Sequence, residues 1–377
     1  MSTNGTESYI EELDDEINDQ YSNDDVYNIT SWGADLSFRE LITMYDEGEM
    51  LKPELQRHYV WDKVEASRFV ESLLLGLPVP SIFLSNSEDD RKLIIDGYQR
   101  IMTVYDFVKG VWSKDSSVFK LSGSERINTR WRGKTFSTLT DAEQRKIRTT
   151  TIHAIIFEQI HPGAENTSLY QIFERINTGG RPLAAQEIRN CVYQGPLNTM
   201  LFRTNSLPLW RNYYRPEIDP RMKDMEFILR FFALNSEEVR LAPKGNFSLK
   251  KLLNEFMGNP ENNSEDYISS AEEDFEKTIK FINDHIGSNA FYNFVSDDPS
   301  KIRRRFYPTI FDSVAIATSI ALKRAGNSIN TINLEERRLE LLQNTDYRKY
   351  ISEGTMQAES IQGRIGLALE TLYGIQY

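Results

Sequence analysis

The residues with most chemical potential lie in one run, Ile94-Ile95-Asp96-Gly97-Tyr98-Gln99-Arg100. A mainly apolar stretch over residues 92–95 has the character of a strand. It stops at Asp-Gly and gives way at once to the helical spacing of Ile101, Met102, Tyr105 and Val108. The first turn of a helix leaves backbone N–H groups unpaired and carries partial positive charge, so its mouth suits phosphate. Arg100 adds a fork of donors matched to phosphate oxygens. Asp96 repels a bare phosphate, so a chemical role for it requires a bridging metal or a positioned water. The same spacing has a purely structural alternative, in which Asp96 caps the helix and Arg100 pairs with it one turn later.

The surrounding pattern supplies elements to position that run. Ser37, with Glu40 three residues on, predicts a capped helix over residues 38–45. Residues 53–61 are extended or irregular. Asp62 and Glu65 repeat the capping pattern, and Phe69, Val70, Leu73, Leu74 and Leu77 form an apolar stripe that Gly76 and Pro78 end. Residues 80–85 predict a strand, 86–90 a turn, and 92–95 its hairpin partner. A further strand is expected over 149–157 and a helix over 169–176. Gly179-Gly180 breaks that helix, and Pro182 precedes another over 184–192. Beyond Pro196 strand signals fade, and residues 225–234, 249–257, 271–286, 310–322 and 334–343 fit helices. The expected organisation is an acidic tail over 1–31, an α+β domain over 32–195 and a mainly helical domain over 196–377. No internal repeat has a solenoid period.

The chain has 377 residues, a net charge of −12 and a pI of about 5.1. That length suits one large domain or two ordinary ones, and 40% apolar residues can build a real core. A field of that sign disfavours generic binding to nucleic acid or anionic membranes and leaves only local basic patches. The single cysteine, Cys191, excludes an internal disulfide, fits a reducing cytosol and sits in a helical pattern as a core residue. The first basic residue is Arg39, after Glu11-Glu12, Asp14-Asp15-Glu16, Asp19 and Asp24-Asp25. A solubilising tail is favoured there over a DNA mimic or an autoinhibitory cover. The N-terminus lacks the plan of a signal peptide, and no run approaches the roughly 18 apolar residues of a membrane span. A cytoplasmic protein without a membrane partner is expected.

Missing motifs narrow the chemistry. The four histidines, His58, His153, His161 and His285, form no His-Glu-x-x-His, and there is no Cys-x-x-Cys, so no zinc site is expected. Gly133-Lys134-Thr135 resembles a P-loop end but has Asn128 where the first glycine belongs. No Gly-x-Ser-x-Gly elbow is present. Asp284-His285-Ile286 suits a helix end better than a histidine-metal nuclease motif.

Four segments, in order and spacing, resemble one family. They are Pro53-Glu-Leu-Gln56-Arg57-His-Tyr59-Val60-Trp61, then Ser72-Leu-Leu-Leu-Gly76-Leu-Pro78-Val-Pro80, then Asp96-Gly97-Tyr98-Gln99-Arg100. The fourth is Phe173-Glu174-Arg175-Ile176-Asn177-Thr178-Gly179-Gly180-Arg-Pro182-Leu183 with Gln186-Glu187-Ile188-Arg189-Asn190. Together they are similar to the GmrSD-type restriction N-terminal domain, a family marked by Asp-Gly-Gln-Gln-Arg. Residues 221–232 resemble its continuation, so the resemblance spans roughly residues 35–235.

The resemblance implies a fold similar to the ParB and sulfiredoxin nucleotide-binding fold. It also implies binding and hydrolysis of a nucleoside triphosphate with magnesium, sometimes DNA nicking, and a place in bacterial defence against phage. No haem or flavin is expected. Asp96 would hold a magnesium-bound water, Gln99 would orient the attacked group, and Arg57 and Arg100 would grip phosphates. Gln56, Gly97, Tyr98, Arg175, Asn177, Gly179 and Gly180 complete the implied nucleotide contacts. Five guanidiniums, Arg57, Arg100, Arg175, Arg181 and Arg189, would clamp a triphosphate if they converge. Arg175 and Arg189 have the alternative of pairing locally with Glu174 and Glu187. Tyr59 and Trp61 are expected in the core or pocket wall.

Two departures bear on turnover. Tyr98 replaces the first motif glutamine; its ring can stack on a base or sugar but cannot orient water as an amide does. Ala184 replaces a helix-capping asparagine, at a cost of about 1 kcal/mol. Many members carry a histidine-metal nuclease domain, yet no histidine follows His285. DNA cleavage is then expected from a nuclease or other effector subunit. Arg303, Arg304 and Arg305 beside Phe306 and Tyr307 form the densest basic cluster, suited to phosphate backbones or equally to a solvated helix start or loop. A basic patch on an acidic chain also suits a homo-oligomer. The rival class is a non-catalytic nucleotide-sensing or DNA-binding regulatory subunit.

Overall fold

The computed structural model describes residues 29–51, 61–86, 90–159, 168–176, 183–245, 247–295 and 298–377. The first half begins with β1 (Ile29–Ser37), α1 (Phe38–Asp46), β2 (Met50–Leu51) and α2 (Lys63–Leu75). β3 (Ile82–Asn86), β4 (Lys92–Asp96) and α3 (Tyr98–Lys109) follow. A small hairpin of β5 (Val111–Trp112) and β6 (Ser117–Val118), then α4 (Asp141–Thr149) and β7 (Thr151–Gln159), complete the sheet region. The order β1-β7-β3-β4-β2 mixes antiparallel pairs (β1–β7, β3–β4) with parallel ones (β7–β3, β4–β2).

Alternation along the strands gives the sheet two apolar faces. Ile82, Leu84 and Ile94 face α1 to α4 through Phe38, Leu73, Ile101, Phe107 and Ile147. Leu93, Ile95, Phe83 and Phe157 face α5 (Ser168–Ile176) and α6 (Ala185–Val192) through Tyr170, Phe173 and Ile188. Local signals hold at the helix ends. Ser37 and Asp62 make reciprocal capping boxes with Glu40 and Glu65, and Gly76 closes α2 in the left-handed conformation at φ 77°.

The second half is helical. It runs through α7 (Pro196–Asn205), α8 (Pro208–Tyr213), α9 (Lys223–Leu234), α10 (Glu237–Leu241), α11 (Leu249–Gly258) and α12 (Glu265–His285). A hairpin of β8 (Asn293–Val295) and β9 (Asp298–Arg303) comes next. α13 (Pro308–Ala325), α14 (Leu334–Gln343), α15 (Thr345–Ser352) and α16 (Ala358–Tyr373) end it. α9 is buried along nearly its whole length, and α13 over residues 308–319. Trp210 of α8 anchors an aromatic cluster with Phe275, Phe306 and Phe311.

The expected helices and the β3–β4 hairpin form within a few residues of their predicted bounds, except that α12 starts at Glu265, six residues before the expected 271. Beyond Pro196, where strand signals fade, the short β8–β9 hairpin was not foreseen; three paired residues with a bulge leave too short an alternation to detect. Arg303 ends β9, and the helix after the basic cluster starts only at Pro308, so the cluster is not a helix start.

Candidate functional site

Asp96 closes β4, Gly97 is the N-cap of α3, and Arg100 lies in the first turn. Gly97 has φ +104°, a conformation that side chains disfavour, and a Cβ there would collide with Cγ2 of Ile82. The turn into α3 is therefore set by the approach of β3 as much as by the backbone. Gly97 provides no side-chain cap. The β3–β4 register slips between Phe83 and Leu84, where Phe83 stands opposite Asp96; bulges recur beside functional sites.

The Asp96 carboxylate pairs with the Arg100 guanidinium through Oδ2 and Nη2. Nη1 of Arg100 donates to the carbonyls of Pro80 at 2.8 Å and Ser81 at 2.9 Å. The Asp96 side chain is half exposed, while that of Arg100 is 12% exposed. Arg100 thus ties the chain before β3 to the mouth of α3. Of the structural alternative, the ion pair is present and the Asp96 cap is not.

Gln99 Oε1 accepts the Trp61 N–H at 3.2 Å, and Lys114 Nζ donates to the Trp61 carbonyl at 2.9 Å. Trp61 is half-buried and stands edge-on to Phe69, with ring centroids 5.6 Å apart. Tyr98 is 3% exposed inside the first core, so its ring fills the domain rather than offering a stacking face.

The fourth motif approaches from the other face of β4, where Tyr170 and Phe173 pack with Leu93 and Ile95. Arg175 is exposed on α5. Glu174 pairs with Lys250 of α11 at 2.8 Å. Arg189 is fully buried. It donates to Glu226 at 3.1 Å and Asn254 at 2.9 Å and lies over the Tyr170 ring. Glu187 pairs with Arg221 at 3.2 Å and accepts the Ala184 N–H at 2.5 Å. Arg189 is consequently a strut between the halves and not part of a converging clamp, because a buried guanidinium takes buried partners. Ala184 is the N-cap of α6 without a side-chain bond, and Glu187 supplies the reciprocal half of the cap.

Gln56, Arg57, Asn177, Gly179, Gly180 and Arg181 lie outside the described residues. What the structure brings together is the described part of each motif. Motif three holds motif two through Arg100 and Pro80, motif one through Gln99 and Trp61, and motif four through the core under β4. Sequence reasoning missed the carbonyls of Pro80 and Ser81 and the role of Ile82; backbone acceptors leave no residue-type signal.

Among the described residues no group of three or more His, Cys, Asp or Glu side chains is placed to hold a metal, so Asp96 offers a single carboxylate. Cys191 is buried, which pushes its thiol up and away from nucleophile chemistry. Of the basic cluster, Arg304 is exposed while Phe306 and Tyr307 are buried. Those two rings are core and not a stacking platform. Among the described residues no helix is long and apolar enough to cross a membrane.

Residues 38–194 match the family described as GmrSD restriction endonuclease, N-terminal domain. No curated protein and no solved structure matches the chain.

Proposed function

We propose that this chain, which carries a GmrSD-type N-terminal domain over residues 38–194, is a restriction-type phage-defence protein that binds a nucleoside triphosphate with magnesium at the mouth of α3. The domain match supports the restriction-type role. The observation that carries the site is the strand–turn–helix junction, with half-exposed Asp96 and the guanidinium of Arg100 meeting across Gly97. In this reading the first half serves as a ParB-like nucleotide-binding domain.

The residues fit magnesium held mainly by phosphate. Magnesium takes one or two protein carboxylates and fills its shell with waters and phosphate oxygens, and Asp96 offers one. Such an ion neutralises phosphate charge and orders water beside it. Arg100 keeps its bonds to Pro80 and Ser81 and exchanges its Asp96 contact for phosphate. Arg57, Gln56, Asn177, Gly179, Gly180 and exposed Arg175 complete the proposed contacts.

Hydrolysis, with Gln99 orienting the attacked group, would gate action on DNA or an effector. A second reading, nucleotide sensing without turnover, is favoured by two observations: Gln99 Oε1 is engaged by Trp61, and Tyr98 is in the core. Cleavage of DNA then belongs to a partner nuclease subunit, with Arg303, Arg304 and Arg305 as candidate phosphate-backbone contacts.

Thermal unfolding with ATP, GTP, CTP or UTP plus magnesium, with released phosphate followed in parallel, tests both. A nucleotide at 100 times its Kd stabilises by about 2.7 kcal/mol. A shift with phosphate release supports the hydrolytic form, and a shift without release supports the sensor. No shift with any nucleotide overturns the phosphate site.

A further inference from the structure

Among the described residues β1 ends the five-stranded sheet and pairs there with β7 alone. Its ladder with β7 runs unbroken from Ile29 opposite Gln159 to Ser37 opposite Thr151. The next pair fixes its phase: the Phe38 N–H donates to the Thr150 carbonyl at 3.1 Å. Backbone groups alternate in direction along an antiparallel strand, so the even-numbered residues of β1 bond toward β7. The Ser37 N–H accordingly turns away and donates to Glu40. The N–H and C=O groups of Ile29, Ser31, Gly33 and Asp35 point out of the sheet, and no strand meets them among the described residues.

Natural sheets blunt such an edge with lysine, proline, bulges or short strands. β1 has nine residues, no lysine, no proline and no bulge. The other outer strand, β2, has two residues. Trp32 lies on the core-side face of β1 in phase with Ala34 and Leu36, yet it is 39% exposed. The four outward-facing residues stand symmetrically about it, two before and two after.

We infer that β1 pairs antiparallel with β1 of a second copy of this chain, with the two-fold axis at Trp32. Ile29 then stands opposite Asp35 of the second copy, and Ser31 opposite its Gly33, so each outward N–H and C=O finds a partner. The two Trp32 residues face one another at a non-hydrogen-bonded position, where side chains approach most closely and aromatic pairs are favourable. The two Asp35 carboxylates fall at opposite ends, so no like charges meet. The contact is isologous and closes on itself as a dimer. It lies across the sheet from the β4–β2 edge, so the mouth of α3 stays open. Self-complementarity about Trp32 selects a second copy over an unrelated extended peptide.

The test uses the full chain and its Trp32→Cys, Asp35→Cys and Ser31→Pro variants. Light scattering is expected to show a concentration-dependent dimer. Oxidation is expected to cross-link Trp32→Cys, because Cα atoms at that position lie about 4.5 Å apart, within disulfide reach. Asp35→Cys is expected not to cross-link, since six residues, about 20 Å, separate it from its twin. The native Cys191 is buried and does not compete. Ser31→Pro removes an outward donor without touching the β7 ladder and is expected to give a monomer with unchanged circular dichroism. A wild-type monomer at every concentration, as when residues 1–28 cover the edge, overturns the inference. So does equal cross-linking of the two cysteine variants, or a dimer that survives Ser31→Pro.

Discussion

Gly97 and Arg100 divide the labour at the mouth of α3. Gly97 admits Ile82, and Arg100 gathers two carbonyls and a carboxylate. Gly97→Ala forces both a disfavoured φ and a collision with Ile82, and is expected to cost about 1–3 kcal/mol in urea unfolding. Arg100→Ala removes the donor shared by the exposed Pro80 carbonyl and the part-buried Ser81 carbonyl and is expected to cost about 1 kcal/mol. It should also abolish the nucleotide-dependent melting shift; a shift of wild-type size in that variant would remove Arg100 from the site. Glu143 provides a pH signature away from the site. The Trp131 indole N–H, with Thr140 and Arg130, holds its carboxyl down to about 2 from an ordinary 4.5. The stability this contributes is fully present above 4.5 and is lost as pH falls toward 2. Acid melts should show the loss, and Glu143→Gln should flatten the dependence over that window.

At the scale of elements, α6 joins the sheet domain to the helical half. Its inner face packs Ile188 under β4, while Arg189 reaches Glu226 on α9 and Asn254 on α11. Removing one member of a buried ion pair strands the other charge. Arg189→Met is expected to destabilise by about 3–5 kcal/mol. Adding Glu226→Gln should restore part of that loss, and a double-mutant cycle in denaturant measures the coupling. Additive losses would show that the two side chains act separately.

At the scale of the whole molecule, the helical half is centred on a buried Arg230–Asp312–Arg364 triad, reinforced by the Thr355 carbonyl. Asp312→Asn removes the carboxylate charge that both guanidiniums share at full burial. A loss of about 3–5 kcal/mol is expected, read as a lower melting temperature in calorimetry. The net charge of −12 confines any nucleic-acid contact to local patches. Binding through Arg303, Arg304 and Arg305 would therefore weaken steeply as salt rises.

What the sequence determined by itself is local. Ser37, Asp62 and Gly76 announce helix ends because capping joins residues three or four apart. The β3–β4 hairpin and the turn at Asp96-Gly97 follow from the same short range. Four spaced motifs carry the resemblance, and the match to the GmrSD restriction endonuclease N-terminal domain over residues 38–194 agrees with it. The tertiary structure decided what joins distant residues. β1 went unread because its partner strand lies more than a hundred residues away and one of its faces is polar. Arg100 was legible as a phosphate fork or as a partner of Asp96, but its two carbonyl acceptors come from the chain 19 and 20 residues before it. Arg189 was legible as a member of a clamp or as a local partner of Glu187, and its burial against partners 37 and 65 residues onward makes it a strut. Residue type restricts which bonds a side chain is able to make, and packing chooses among them.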